Sequence, residues 1–206
     1  MSTAFATEVR YTPDDLLAMP DGKRYELING RLVERKMGAE SSWVGTRLTS
    51  RLDRFCEDNR LGIVWGADNG YQCFAHAPGL VRRPDVSFVK TGRLQGDIAP
   101  KGWVKIPPDL AVEIVSPNDS AEGLEEKLDD YRTAGVPLIW VIYPELRKVK
   151  IFRNGGSAGE LREDDVLSGE DVIPGFHCPV REILPRRSPA DEPRTTPAGP
   201  NGAGSA

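Results

Sequence analysis

The chain has 206 residues, of which 39% are hydrophobic and 28% are charged, a composition that suits one globular domain with a full core. Its formal net charge of -4 provides no global attraction to nucleic acid, so DNA binding would need a local basic surface or bound cations. No segment has the apolar length that crosses a bilayer, and residues 1–8 lack the features of a signal peptide. We therefore expect a soluble, cytoplasmic protein.

The cysteines and histidines exclude several kinds of site. Cys56, Cys73 and Cys178 are far apart and odd in number, which supports neither a disulfide framework nor a structural zinc site. We interpret them as core thiols. His76 and His177 are too few for a zinc hydrolase or a nuclease built on clustered histidines. The cysteine and histidine content does not exclude a metal site built on acidic residues.

The N-terminal part of the sequence predicts a short helix followed by a hairpin. Thr12 is a good N-cap and Pro13 suits the first helical position, so a helix should begin here. Asn29-Gly30 is a strong signal for a two-residue hairpin turn between short strands within residues 24–34. Glu26 lies on the first of these strands.

The longest helix is predicted over residues 42–59, where apolar residues recur at helical spacing. Arg47, Arg51 and Arg54 fall together on another face of this helix. They form either a phosphate-contacting face or a solvated stripe, and we favour the solvated stripe because charged stripes on amphipathic helices usually face water.

The second half of the sequence alternates strands with one helix. Strands are predicted at residues 63–65, 71–74, 85–89 and 110–115. A helix over residues 120–133 and an apolar strand over 138–143 come next, and this strand–helix–strand order predicts a right-handed crossover between parallel strands in the sheet centre. Residues 148–152 and 172–174 should add peripheral strands.

These elements predict one α/β domain over residues 11–184, with a mixed central sheet and helices on its faces. Residues 1–10 should be a flexible N-terminus. The Pro-, Gly-, Ala- and Thr-rich residues 185–206 have no side chain able to anchor a core, so we expect a disordered tail.

Two acidic residues interrupt runs that are otherwise apolar. Glu113 lies in the middle of residues 109–115, which should be a buried strand, and an ionised carboxylate there is costly unless a cation compensates it. Asp85, after Pro84, is a second acid at the start of a β-branched and aromatic run. Two carboxylates on neighbouring strands would form a hard oxygen site suited to Mg²⁺ or Mn²⁺.

The same residues also allow a purely structural interpretation. Glu113 would then pair with Arg83 or Lys127 to fix the fold, and Asp85 would cap a turn. We favour the metal site because strongly perturbed acids cluster at functional sites. Arg82 and Arg83 are equally compatible with phosphate contacts beside Asp85 and with charges that discourage pairing at a strand edge.

Four sequence blocks occur in a fixed order with compatible spacing. They are residues 25–30 (YELING), 83–86 (RPDV) and 108–117 (PDLAVEIVSP), followed by the Lys127, Tyr131, Gly135 and Val136 pattern. Together they resemble the Uma-type family of putative restriction endonucleases, within the PD-(D/E)xK nuclease superfamily. The resemblance covers nearly everything from Tyr11 to Leu184. It implies a restriction-endonuclease-like fold and a metal-dependent DNA endonuclease that hydrolyses phosphodiester bonds.

The resemblance also implies a set of site residues. Asp85 and Glu113 match the two metal-binding acids, and the main-chain carbonyl of Ile114 matches a further ligand for Mg²⁺ or Mn²⁺. Val115 stands where the strict motif has lysine. Some members of the superfamily carry this lysine on the next helix, which is the position of Lys127.

The chemistry agrees with these residue types. A metal held by carboxylates activates water and neutralises charge on the phosphoryl oxygens, while a lysine stabilises that charge. Asp85, Glu113 and Lys127 supply these groups, and Glu26 is either a fourth catalytic acid or a glutamate on a strand surface. The alternative function is a catalytically silent nuclease-fold protein that acts as a binding or oligomerisation module. The resemblance is also compatible with a homodimer.

Overall fold

The computed structural model of the protein describes residues 9–186. Its helices there are α1 (Pro13–Ala18), α2 (Ala39–Asn59) and α3 (Ala121–Thr133). None of the helices in this part of the chain is long and apolar enough to cross a membrane. The expected flexible N-terminus and tail lie, except for their inner ends, outside the described residues.

The same part of the chain contains ten strands. They are β1 (Tyr25–Ile28), β2 (Arg31–Glu34), β3 (Gly62–Gly66), β4 (Val86–Lys90), β5 (Leu110–Ile114), β6 (Leu138–Tyr143), β7 (Lys148–Arg153), β8 (Ala158–Arg162), β9 (Val166–Ser168) and β10 (His177–Pro179). Strands β3 to β8 form one six-stranded sheet in sequence order, while β1 pairs with β2 and β9 pairs with β10.

The six-stranded sheet is mixed. Strands β5 and β6 are parallel and are connected through α3. The other neighbouring strands of this sheet are antiparallel. This arrangement confirms the predicted mixed central sheet, flanked by helices, with a parallel connection at its centre.

Side chains of the central strands alternate between two cores. Leu48 of α2 and Trp140 of β6 belong to the core on one side of the sheet. Leu128 and Tyr131 of α3 pack with Val141 of β6 on the other side. Because successive side chains of a strand point to opposite faces, the position of a residue along β5 decides which helix it faces.

The local signals at the N-terminal end form as predicted. The Thr12 hydroxyl accepts a hydrogen bond from the Asp15 N–H at 3.2 Å, and the Asp15 carboxylate accepts one from the Thr12 N–H at 2.8 Å. This reciprocal pair caps α1. Asn29 and Gly30 have φ angles of 51° and 77°, the left-handed geometry that a tight two-residue hairpin turn requires.

Helix α2 begins at Ala39, earlier than predicted, and its arginine face is partly engaged. Arg47 donates to the main-chain carbonyl of Glu182 at 2.9 Å, and Arg51 donates to the Glu182 carboxylate at 2.6 Å. These two arginines therefore hold the C-terminal segment against the helix instead of forming an entirely solvated stripe.

Two strand predictions are wrong. The predicted strand at residues 172–174 is a turn, in which the N–H groups of Val172 and Ile173 both donate to the carbonyl of Gly169, at 3.1 and 2.8 Å. The β-branched residues Val172 and Ile173 are buried, but they lie in a turn and not in an extended strand. The predicted strand at residues 71–74 is reduced to isolated bridges.

The cysteines do not form disulfides. Cys56 and Cys178 are buried, Cys73 is half-buried, and all three are free. Burial raises the pKa of the Cys56 and Cys73 thiols to about 12, so both stay protonated at neutral pH.

Candidate active site

The fold brings the two predicted acids together at the centre of the sheet. Glu113 faces α3 because its neighbours Val112 and Ile114 point to the core under α2. Asp85 directly precedes β4, and its N–H donates to the carbonyl of Val112 at 2.9 Å. Glu113 therefore lies within β5 and Asp85 directly before the adjacent strand β4, which brings the two acids side by side as predicted.

The Asp85 carboxylate is held by one main-chain donor and one arginine. Its Oδ2 atom accepts the N–H of Ile114 at 2.8 Å, and Oδ1 accepts Nη2 of Arg35 at 3.1 Å. Burial raises the pKa of Asp85, and the nearby cations Lys127 and Arg35 offset only part of this effect. The carboxylate therefore lacks full compensation by the protein.

Glu113 is 5% exposed and binds two side chains of α3. Its Oε2 atom accepts Nζ of Lys127 at 3.0 Å, and Oε1 accepts the hydroxyl of Tyr131 at 2.7 Å. Burial raises the pKa of Glu113 to about 7; Lys127 opposes this shift, while Asp85 and Glu26 add to it. The site is thus short of positive charge despite its lysine.

Glu26 belongs to the same cluster and is not a strand-surface glutamate. Its side chain is buried, with Oε1 3.4 Å from Nζ of Lys127 and Oε2 3.1 Å from Nη1 of Arg82. Oε1 also accepts the N–H of Arg83 at 2.8 Å. Although burial raises its pKa, Lys127 and Arg82 outweigh this effect and lower it, so Glu26 is an anion.

Arg82 and Arg83 are not exposed charges at a strand edge, and their contact with phosphate stays a prediction. Both side chains are buried. Arg82 bridges Glu26 to Asp130, with Nη2 2.6 Å from the Asp130 carboxylate. Arg83 donates to main-chain carbonyls, among them that of Tyr25 at 3.0 Å, and does not pair with Glu113. These arginines thus fix the hairpin and α3 beside the site.

The predicted site residues line one pocket of about 550 Å³. Glu26, Asp85, Glu113, Lys127 and Ile114 all contribute to its wall. Most of the remaining lining comes from the β1–β2 hairpin, the segment after it and residues 118–126, and Arg82 also contributes. Glu26, Asp85 and Glu113 therefore share one cavity with Lys127.

Arg35 is a site residue for which the sequence offers no strong signal. It follows β2, lines the pocket and contacts Asp85 with a side chain that is only 7% exposed. Tyr131 belongs to the sequence pattern that carries the resemblance, and its contact with Glu113 makes it part of the cluster.

The donor set decides which cation would fit. Within residues 9–186 there is no group of three or more His, Cys, Asp or Glu side chains that could hold a metal ion. Asp85 and Glu113 with the Ile114 carbonyl would instead supply oxygen ligands only, which suits a hard cation that keeps several waters. Burial raises the pKa values of both acids because it disfavours their ionised forms. A bound cation would stabilise the ionised carboxylates and so offset this cost of burial.

A mixed sheet that presents two acids and a lysine in one pocket is the arrangement that the sequence resemblance implies. The family model Uma2, described as putative restriction endonuclease, matches residues 13–181. The chain therefore belongs to the Uma2 family of putative restriction endonucleases.

A solved structure supports the fold. It is the crystal structure of a putative nuclease belonging to DUF820 from Anabaena variabilis, with a TM-score of 0.71 and 18% sequence identity. The match covers 84% of this chain and 97% of that chain. At this identity the likeness establishes the fold alone. No match is found among curated proteins.

Proposed function

We propose that the protein is a Mg²⁺- or Mn²⁺-dependent endonuclease that hydrolyses phosphodiester bonds of DNA. The observation that carries this proposal is the convergence of Glu113 in β5 and Asp85 directly before β4 with Lys127, whose Nζ lies 3.0 Å from Glu113. Membership of a family of putative nucleases supports a nucleic-acid substrate.

Each residue has a distinct role in the proposal. Asp85, Glu113 and the Ile114 carbonyl hold the cation, which when bound supplies an activated water and charge neutralisation at the phosphoryl group. Lys127 stabilises the charge that develops on the phosphoryl oxygens. Glu26 holds Lys127 in place through the contact at 3.4 Å.

The electrostatics of Lys127 suit charge stabilisation. Burial lowers its pKa, but Glu113, Glu26 and Asp85 together raise it above the ordinary value for lysine. Lys127 therefore carries its charge at neutral pH and cannot act as a general base there. A permanent cation beside the acids is the group that a negatively charged transition state needs.

The direct test is a nuclease assay on supercoiled, linear and single-stranded DNA with each divalent ion. The wild type should cleave with Mg²⁺ or Mn²⁺ and should stop cleaving when a chelator is added. A wild type that never cleaves any of these substrates would contradict the proposal.

A second candidate is a catalytically silent nuclease-fold protein that serves as a binding or oligomerisation module. One observation favours it: the acids already have protein partners, since Arg35 contacts Asp85 and Lys127 contacts Glu113.

The homodimer expected from the resemblance remains a prediction, which analytical ultracentrifugation can measure.

Metal titration separates the two candidates. We expect Mg²⁺ or Mn²⁺ to raise the melting temperature of the wild type, because a ligand that binds only the folded state stabilises it by mass action. Asp85→Ala should show no such rise, since it loses a proposed ligand. Equal curves with and without metal for the wild type would favour the silent module.

Glu26 gives a finer test of the positioning role. Glu26→Gln should slow cleavage in the wild-type background, because Lys127 loses one of its two closest anions. The same substitution should have little further effect when Lys127 is already alanine, since residues that act through one another are not additive. A full additive effect in the double variant would show that Glu26 acts independently of Lys127.

A further inference from the structure

Arg35 connects two parts of the site. Its N–H donates to the carbonyl of Arg24 at 2.8 Å, so the hairpin pairing continues past β2. Its guanidinium donates from Nη1 to the Ala67 carbonyl at 2.7 Å and from Nη2 to Oδ1 of Asp85 at 3.1 Å. The Ala67 carbonyl thus positions the Arg35 guanidinium against Asp85, the carboxylate that binds the cation in the proposed function.

The position of Arg35 conflicts with a cation on the same carboxylate. The other oxygen of Asp85, Oδ2, accepts the Ile114 N–H at 2.8 Å, so Oδ1 is the oxygen that Arg35 neutralises. A divalent cation on Asp85 would face the positive charge of Arg35 within a few ångströms. In a pocket of reduced dielectric this repulsion is large, and the two cations compete for one anion.

Of the two guanidinium hydrogen bonds given above, only one depends on Asp85. The bond to the Ala67 carbonyl does not involve an acid and can persist when Nη2 leaves the carboxylate. The guanidinium would then stay at the pocket wall with a free donor edge. The planar guanidinium matches the oxygens of a phosphate group.

We propose that Arg35 is a further catalytic residue. It neutralises Asp85 in the cation-free protein, and it turns Nη2 to the scissile phosphate when Asp85 binds the cation, while Nη1 remains on Ala67. This inference rests on the proposed metal-dependent cleavage. It explains why a half-exposed hairpin ends in an arginine whose side chain is buried against the acids.

The test uses Arg35→Gln and two separate measurements. Calorimetric titration with Mg²⁺ or Mn²⁺, without DNA, should show at least about fivefold tighter binding than in the wild type, because the competing charge is gone. Single-turnover cleavage at saturating metal should be about 100-fold slower, because a donor to the phosphate is lost. Tighter metal binding together with slower cleavage is the expected signature.

Two further variants serve as controls. Arg24→Gln removes an exposed arginine of the same hairpin that pairs with Glu34 at 2.5 Å, and it should change neither measurement. Arg35→Lys keeps the charge, so its metal affinity should stay near that of the wild type. Its cleavage should be slower than that of the wild type, because an ammonium lacks the two-sided geometry of a guanidinium.

The outcomes are distinguishable. Metal affinity that is unchanged or weaker in Arg35→Gln, or an unchanged cleavage rate, overturns this inference while leaving the proposed function intact. A wild type that binds no divalent cation overturns both. Should Arg35→Gln fail to fold, the arginine side-chain NMR spectrum of the wild type decides: the Arg35 signal, assigned by its loss in Arg35→Lys, must shift when Mg²⁺ is added, and an unmoved signal overturns the inference.

Discussion

Replacing Glu113 with glutamine is expected to abolish both divalent-cation binding and DNA cleavage while leaving the protein folded. Glutamine keeps the shape of the side chain and its contact with Tyr131, but it supplies no charge for a cation. Folding should survive because burial raises the Glu113 pKa to about 7, so the ionised carboxylate is itself costly in the fold. Calorimetric titration, the nuclease assay and a melting curve measure the three effects.

Asp109 provides a matched control for this experiment. It is another buried acid, 6% exposed, located directly before β5. Its carboxylate accepts from the Lys90 N–H at 2.8 Å and from Arg93 at 2.6 Å, and it does not line the pocket. Asp109→Asn should therefore retain cleavage at temperatures well below its melting point. Cleavage that persists undiminished in Glu113→Gln would show that the activity is a contaminant or that the site lies elsewhere.

Glu113 and Asp85 were candidates from the sequence because each interrupts an apolar run, whereas Lys127 was a candidate from the family resemblance. Glu113 interrupts an apolar strand, and a buried charge of this kind requires a partner. Lys127 and Tyr131 are four residues apart on a helix, so both reach the same face, and the structure places both on Glu113. The central strands were predictable because each is a short, continuous apolar run, and α3 because its apolar residues recur at helical spacing.

The remaining parts depend on tertiary contacts that leave no local trace. An arginine after a hairpin is usually exposed, and only tertiary contacts with the distant Ala67 and Asp85 bury the side chain of Arg35. The burial of Arg82 and Arg83 could not be predicted either, because it depends on partners from distant segments, such as Asp130. Strand β8 has little hydrophobic alternation, and pairing with β7 alone defines it.

Replacing Lys127 with alanine should lower single-turnover cleavage by about 10²- to 10³-fold while retaining metal binding. Lys127 is not a proposed ligand, and its removal leaves the acids more negative, so affinity for Mg²⁺ should not fall. The loss of rate follows from the loss of a cation 3.0 Å from Glu113, at the place where charge on the phosphoryl group must be stabilised.

The same variant should show a distinctive change in stability. Glu113 and Glu26 are buried and share Lys127, so alanine leaves two anions without their common partner. Removal of one member of a buried ion pair typically costs about 3–5 kcal/mol, and the 22% exposure of the Lys127 side chain places this case toward the lower end. Mg²⁺ should then raise the melting temperature of Lys127→Ala by more than that of the wild type, because the cation replaces part of the missing charge.

Arg132→Ala is the matched control, because it removes an arginine of the same helix that is 40% exposed and pairs with Asp129 at 2.8 Å. It should change neither the rate nor the metal-induced shift. Lys127→Arg should restore stability more fully than rate, since it returns the charge without the compact ammonium geometry. If Lys127→Ala loses metal binding as completely as Glu113→Gln, the lysine is needed to assemble the acids, and its proposed role in stabilising the transition state is wrong.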